Sequence, residues 1–177
     1  MGRNRQPRRQ NKTGGNSSPL KALAENSCLK EYFHNGSGAI REKECISVPQ
    51  PRLTGGSVNL DKAMEQDLPE DNRWDYVLEY DGCTFFLEIH PASTSEVECV
   101  IRKVRQVKEW LAAHVPDFLQ LPKKEKGERC FYWIASGKSD IRLLPQSRQA
   151  KQLASAHIKP VGRVWDYRKL FGRQHDA

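Results

Sequence analysis

Asp75, Glu88 and His90 are the residues of this 177-residue chain whose types and spacing could do chemistry together. Two carboxylates in one place can hold a hard divalent cation or share a proton, and an imidazole beside them can serve as a base or a ligand. A β-hairpin would bring them together. Residues 73–80 and 83–90 flank Asp81-Gly82, a pair that tolerates the positive φ angles of a two-residue turn. Counting outward pairs Tyr80 with Cys83, Leu78 with Phe85, Tyr76 with Leu87, Asp75 with Glu88 and Arg73 with His90. Alternation then puts Trp74, Tyr76, Leu78 and Tyr80 on one uncharged face with Ile89, Leu87, Phe85 and Cys83, which must be core. The other face carries Arg73, Asp75, Val77 and Glu79 against His90, Glu88, Phe86 and Thr84, with the acidic pair and the histidine at the end far from the turn.

Opposed residues have Cβ atoms about 4.5–5.5 Å apart, and like charges there repel. A divalent cation held by both carboxylates relieves the repulsion; so does a proton on one of them, or a salt bridge from Arg73. A purely structural arrangement is the alternative, with Arg73 paired to Asp75 along its strand and Glu88 at an exposed sheet end.

The elements around the hairpin can be read from periodicity and punctuation. Ser18-Pro19 opens a helix expected to run to about His34 and to stop at Gly36, with Leu20, Leu23, Ala24 and Cys28 inward and Glu25 and Glu31 on other sides. Ala39–Val48 suits a strand broken by Pro49 and Pro51, residues 52–58 a loop, and Leu60–Gln66 a short helix stopped by Pro69. After the hairpin, Ser95 and Glu98 form a capping box for a helix reaching about His114. Val97, Val100, Ile101, Val104, Val107 and Leu111 make its buried stripe. Arg102, Lys103, Arg105 and Lys108 populate the rest, with Glu98–Arg102 and Arg105–Glu109 spaced for internal pairing. Lys103 lies near enough to the hairpin exit to reach back to it. Residues 123–127 read as a loop, Cys130–Ala135 as a central strand, Ile141–Leu144 as a short strand, 146–157 as a helix with Ala150, Leu153 and Ala154 inward, and Val161–Tyr167 as a last strand.

Composition narrows the class. The length suits one domain, assigned to residues 18–177. No hydrophobic leader or membrane-length apolar run is seen, and five widely spaced cysteines without CxxC pairs indicate neither a disulfide framework nor a zinc site. Cys83, Cys99 and Cys130 are expected as small buried hydrophobes, and a reducing, cytoplasmic setting fits. The formal charge of +7 is concentrated: Arg3, Arg5, Arg8, Arg9 and Lys12 precede any acid, while the other basic residues nearly balance the 22 acidic ones. Residues 1–17 therefore read as a disordered basic arm that contacts phosphates through counterion release, or as a solubilising tail.

The order helix, three strands, helix, strand, with Asp75 on the second strand and Glu88-x-His90 on the third, resembles the PD-(D/E)XK nuclease superfamily over roughly residues 19–136. The resemblance implies an α/β fold, a mixed central β-sheet flanked by helices with a restriction-endonuclease-like αβββαβ core. It also implies Mg²⁺ or Mn²⁺ held by Asp75, Glu88 and the Ile89 carbonyl, joined by a first-helix acid, Glu25 or Glu31. Two departures stand out: His90 occupies the motif lysine position, and no proline precedes Asp75. His90 is then a base or a ligand, Lys103 or Arg102 supplies the missing cation, or hydrolysis has been lost.

Three functions follow. The first is a metal-dependent nuclease, with Asp75, Glu88, His90 and Lys103 catalytic and with Arg102 and the arm holding nucleic acid. The second is a non-catalytic nucleic-acid-binding or assembly subunit on the same scaffold. The third is a protein-interaction module, for which a protein partner or a homodimer is expected.

Overall fold

The computed structural model describes residues 18–70, 72–124, 131–137 and 143–172. Its elements run α1 (Pro19–Glu25), β1 (Phe33–Asn35), β2 (Ile46–Ser47), β3 (Thr54–Asn59), α2 (Leu60–Met64), β4 (Tyr76–Tyr80) and β5 (Cys83–His90). They continue with α3 (Val97–His114), β6 (Phe131–Ala135), α4 (Arg148–Ser155), β7 (Ile158–Pro160), β8 (Trp165–Asp166) and α5 (Tyr167–Phe171).

Asp81 and Gly82, with φ of 51° and 70°, close the β4–β5 hairpin in the register that counting predicts, from Tyr80↔Cys83 to Tyr76↔Leu87. Around it the sheet is ordered β1-β3-β4-β5-β6-β7. Neighbours from β1 to β5 are antiparallel, whereas β5, β6 and β7 run parallel, as a helical crossover through α3 requires. The protein is thus α/β, a mixed central sheet with flanking helices; β2 and β8 form a separate parallel pair.

Both faces of the sheet are covered. Val77, Phe86, Phe131 and Trp133 pack with Leu20 and Ala24 of α1 and with Val97, Val100, Val104, Val107 and Leu111 of α3. Tyr76, Leu78, Tyr80, Phe85, Leu87, Tyr132 and Ile134 pack on the other side with Ile40 and Trp165. Each large side chain buried there contributes about 1.5–3 kcal/mol. The face expected to carry the charges is therefore core as well: Glu79, Thr84 and Glu88 are buried, and Arg73, Asp75 and His90 are half buried. Trp74 lies with Val77 and Phe86 rather than with Tyr76, its ring edge-on to Phe131 at 5.2 Å, because the ladder begins only at Tyr76 and alternation does not extend back.

Several elements differ from the sequence reading. Asn26, not Gly36, ends α1: its amide nitrogen donates to Ala22 O at 2.8 Å, and the chain turns into a 3₁₀ segment and then β1. Only Ile46–Ser47 of the expected 39–48 strand is extended, since Lys43–Cys45 forms a 3₁₀ turn. The expected 52–58 loop contains β3, an inner strand. Its glycines serve close approach: a Cβ on Gly56 would strike the Phe33 ring, and one on Gly55 the Glu79 carboxylate. No capping box forms at α3, where Ser95 Oγ meets Ser93 Oγ at 2.7 Å and Val97 is the first helical residue. Neither Glu98–Arg102 nor Arg105–Glu109 closes as an ion pair among the described residues. Trp110 joins the buried stripe of α3, Ile101 is only half buried, and in α4 Leu153 is inward while Ala154 is exposed. Of the expected 161–167 strand only Trp165–Asp166 is extended, as β8; β7 precedes it and Tyr167 opens the short α5. The basic arm, Cys130 and Ile141 lie outside the described residues, and no helix among those described is long and apolar enough to cross a membrane.

Candidate functional site

Where the ladder stops at Tyr76↔Leu87, side chains take over from backbone pairing. Asp75 Oδ2 accepts the Ile89 amide at 2.7 Å, and Glu88 Oε2 accepts the Asp75 amide at 3.2 Å. Each carboxylate thus takes a backbone donor from the opposite strand, so the expected like-charge contact is partly offset by two hydrogen bonds. The Asp75 carbonyl accepts from Leu60 N at 2.9 Å and Asp61 N at 3.3 Å, which fixes this residue against the start of α2.

The third member comes from α3. Lys103, expected on the solvated side of the helix, is buried, and its ammonium donates to Glu88 Oε1. The cation that the motif position lacks is therefore supplied from the next helix, one of the alternatives open in the sequence. Arg102, one residue away, is exposed and touches none of these groups.

Electrostatics follow from burial. The Glu88 side chain is fully excluded from solvent. Burial, then the charge of Asp75, push its carboxyl from 4.5 up to about 8, against the pull of Lys103. Burial also lifts Asp75 from 3.8 to about 6, opposed by Lys103 and by the Ile89 amide. Burial pulls Lys103 downward, but Glu88 and Asp75 outweigh it and hold the ammonium above its ordinary value. Near neutrality Lys103 therefore stays an ammonium, while burial resists ionisation of both acids, of Glu88 most.

His90 ends β5 beside this group. Its carbonyl accepts from Ser136 N at 3.1 Å and from the Trp133 indole at 3.2 Å, which fixes the backbone. Its ring places Nε2 at 2.9 Å from Glu96 Oε2 and Nδ1 at 4.0 Å from Glu88 Oε1. Arg73 does not face His90 and does not pair with Asp75. It turns to Asp61 Oδ1 at 2.9 Å and to the carbonyls of Leu68 and Pro69, so the acidic pair is not blocked by a guanidinium.

Neither first-helix acid reaches the site: Glu25 is exposed and pairs with Lys21 at 3.8 Å, and Glu31 is exposed in the 3₁₀ turn. The carboxylate that joins α1 to the sheet is Glu79, which the hairpin pattern placed on the polar face without a role. It is buried and accepts from Leu20 N at 2.7 Å and Ser18 Oγ at 2.9 Å. Glu96 was also missed. Its partner is six residues away across an irregular turn, a separation that neither helix nor strand periodicity flags.

A cavity of about 900 Å³ opens between α3 and α4. Arg105, Lys108, Arg148 and Lys151 line it over a floor that includes Ile101 and Val104, with no acid among the lining residues. No local pattern marks this groove, because its two basic rows lie on separate helices, at Arg105 and Lys108 of α3 and at Arg148 and Lys151 of α4. No family model, curated protein or solved structure matches the chain.

Proposed function

We propose that the protein is a metal-dependent nuclease of the PD-(D/E)XK kind in which Lys103 of α3 does the work of the motif lysine. One observation carries this reading: Lys103 reaches Glu88 exactly where a histidine occupies the expected lysine position, restoring an Asp, Glu and Lys set at the end of β5. The mixed sheet supports it, since β3, β4 and β5 followed by α3 and β6 keep the strand, helix, strand order the resemblance implies. The groove of arginines and lysines between α3 and α4 suits a polyanion.

The donor set fits Mg²⁺ or Mn²⁺. Two carboxylates with raised pKa values would both be favoured in their charged form by a dication, and hard oxygen donors suit either ion. Asp75 and Glu88 would hold it, with the Ile89 carbonyl as the third oxygen implied by the resemblance. When bound, such an ion supplies Lewis acidity and a water of lowered pKa. Around it Lys103 keeps a positive charge inside the fold, able to offset charge building on a phosphate. The Ile89 amide on the Asp75 carboxylate and the Asp75 amide on the Glu88 carboxylate hold the two chain segments together at this end.

Single- and double-stranded DNA and RNA, incubated with Mg²⁺ or Mn²⁺, test the reading. Cleavage by the wild-type chain, lost in Asp75→Asn, Glu88→Gln and Lys103→Met variants that keep the far-UV circular dichroism of the fold, is expected. Cleavage that persists in the first two removes the proposal. A second reading, a non-catalytic nucleic-acid-binding scaffold, draws on the fact that two amides and Lys103 already satisfy much of the acidic pair. It predicts salt-sensitive binding without cleavage, unchanged in Asp75→Asn.

A further inference from the structure

We propose that His90, Glu96 and Cys99 form a site for a transition-metal dication of the zinc class, distinct from the Asp75–Glu88 pair and independent of the nuclease reading. One ligand atom from each of the three lies within 4.8 Å of the others, and all three residues are half buried. Zinc sits about 2.0–2.3 Å from nitrogen, oxygen and sulfur donors, which places tetrahedral ligands about 3.3–3.8 Å apart. Side-chain rotation covers the difference. His90 Nε2 and Glu96 Oε2, at 2.9 Å, are already closer than two ligands of one ion need to be.

The backbone supports the cluster at three points. His90 is held at the end of β5 by bonds to its carbonyl, Glu96 by its amide on Ser93 O at 3.2 Å, and Cys99 sits one turn later in α3. Glu96 and Cys99, three residues apart, share a face at the helix entrance. A carboxylate, a thiolate and a neutral imidazole together balance a dication, and the nitrogen and sulfur donors select zinc over magnesium.

Glu88 stands behind the ring, its Oε1 4.0 Å from His90 Nδ1, so its charge faces the imidazole without a direct hydrogen bond. Three protein ligands leave a fourth position for water. An ion here ties the end of β5 to the first turn of α3, the elements that carry Glu88 and Lys103, and so fixes the separation of that pair.

Titration of the full chain with Co²⁺, a spectroscopic substitute for zinc, tests the site. One equivalent is expected to give the near-ultraviolet thiolate-to-cobalt charge-transfer band, displaced by Zn²⁺. The band should vanish in Cys99→Ser and in Glu96→Gln and survive in Asp75→Asn, with circular dichroism reporting the fold of each. Glu96→Gln keeps the test decisive if the cysteine variant does not fold. No band from the wild-type chain, a band that survives Cys99→Ser through the other cysteines, or one lost in Asp75→Asn overturns the proposal. None of these results alters the Mg²⁺- or Mn²⁺-dependent cleavage assay, so the two ideas fail separately.

Discussion

Replacing Lys103 by Met keeps an unbranched stem in α3 and removes the ammonium from Glu88. The buried Glu88 and the half-buried Asp75 then retain only their backbone donors. In the wild-type chain both have folded pKa values above the unfolded ones, about 8 against 4.5 for Glu88 and about 6 against 3.8 for Asp75. A carboxyl shifted this way contributes stability that is complete below its unfolded pKa and is lost as pH rises through the folded one. For this pair the loss runs from about pH 4 to pH 8. Lys103 opposes both shifts, so without it both folded values move higher and the decline continues further up the pH scale. The two proteins should therefore differ little at pH 5 and increasingly above pH 6.

At pH 5 the variant loses one hydrogen bond, worth about 1 kcal/mol. At pH 8 it must bury an uncompensated charge or hold a proton the unfolded chain releases, and breaking a buried pair in this way costs about 3–5 kcal/mol. That is a large share of the stability of a domain this size, about 5–15 kcal/mol. Urea unfolding of both proteins at pH 5, 6, 7 and 8, followed by far-UV circular dichroism, measures the gap directly. A gap that stays constant with pH, or a variant as stable as the wild type at pH 8, would refute the assignment of Lys103 as the counter-charge of the pair.

Glu88→Gln removes one of the two negative charges, so in metal-free buffer the pH 5 to 8 fall in stability should become shallower than in the wild type while Mn²⁺-stimulated cleavage disappears; the same urea series and a cleavage assay check it. Glu79→Ala leaves the Leu20 amide and Ser18 hydroxyl without their shared acceptor, and urea unfolding should record a loss of about 2–3 kcal/mol with α1 loosened from the sheet. Arg148→Gln with Lys151→Gln withdraws two cations from the α3–α4 groove. The slope of log affinity against log salt for duplex DNA should then become shallower by about two, and an unchanged slope would show that the groove does not contact phosphates.

The hairpin was legible because its turn chemistry and its alternation agree, and counting from Asp81-Gly82 gives the observed rungs. Counting failed where pairing ended. Trp74 changed face and Arg73 left the strand, because Asp61 and the carbonyls after α2 offered the guanidinium better partners than His90 did. Strand β3 was unreadable for a different reason. Thr54-Gly55-Gly56-Ser57 has the composition of a loop, and its glycines make sense only once Phe33 and Glu79 are seen pressing on them. Lys103 could be named but not ranked, since a lysine on a charged helix face looks the same in sequence whether it meets water or Glu88. Glu96 had no local signal at all, being defined by a partner on the preceding strand.

The place of the site follows from the change of strand direction at β5. This strand is antiparallel to β4 and parallel to β6, so its C-terminal end lies beside the entry to β4 and the exit of β6. Residues 88–90 are thus bordered on one side by a segment that has not yet joined the ladder, on the other by the last rungs of β6, and by α3, which starts the crossover to β6 a few residues later. Backbone groups there are not all satisfied by pairing with β4, and polar side chains become the substitute: Asp75 for Ile89 N, Glu88 for Asp75 N, the Trp133 indole for the His90 carbonyl. A carboxylate recruited for that purpose is buried by the same packing that ends the ladder, and burial raises its pKa and demands a counter-charge. Lys103 answers that demand from the helix. If this reasoning holds, moving the lysine should matter less than losing it: Lys103→Met with Val100→Lys, which returns an ammonium one turn earlier on the same buried face, should recover part of the stability lost at pH 8, and a double variant no more stable than Lys103→Met there would break the link between strand direction, buried charge and helix-borne cation.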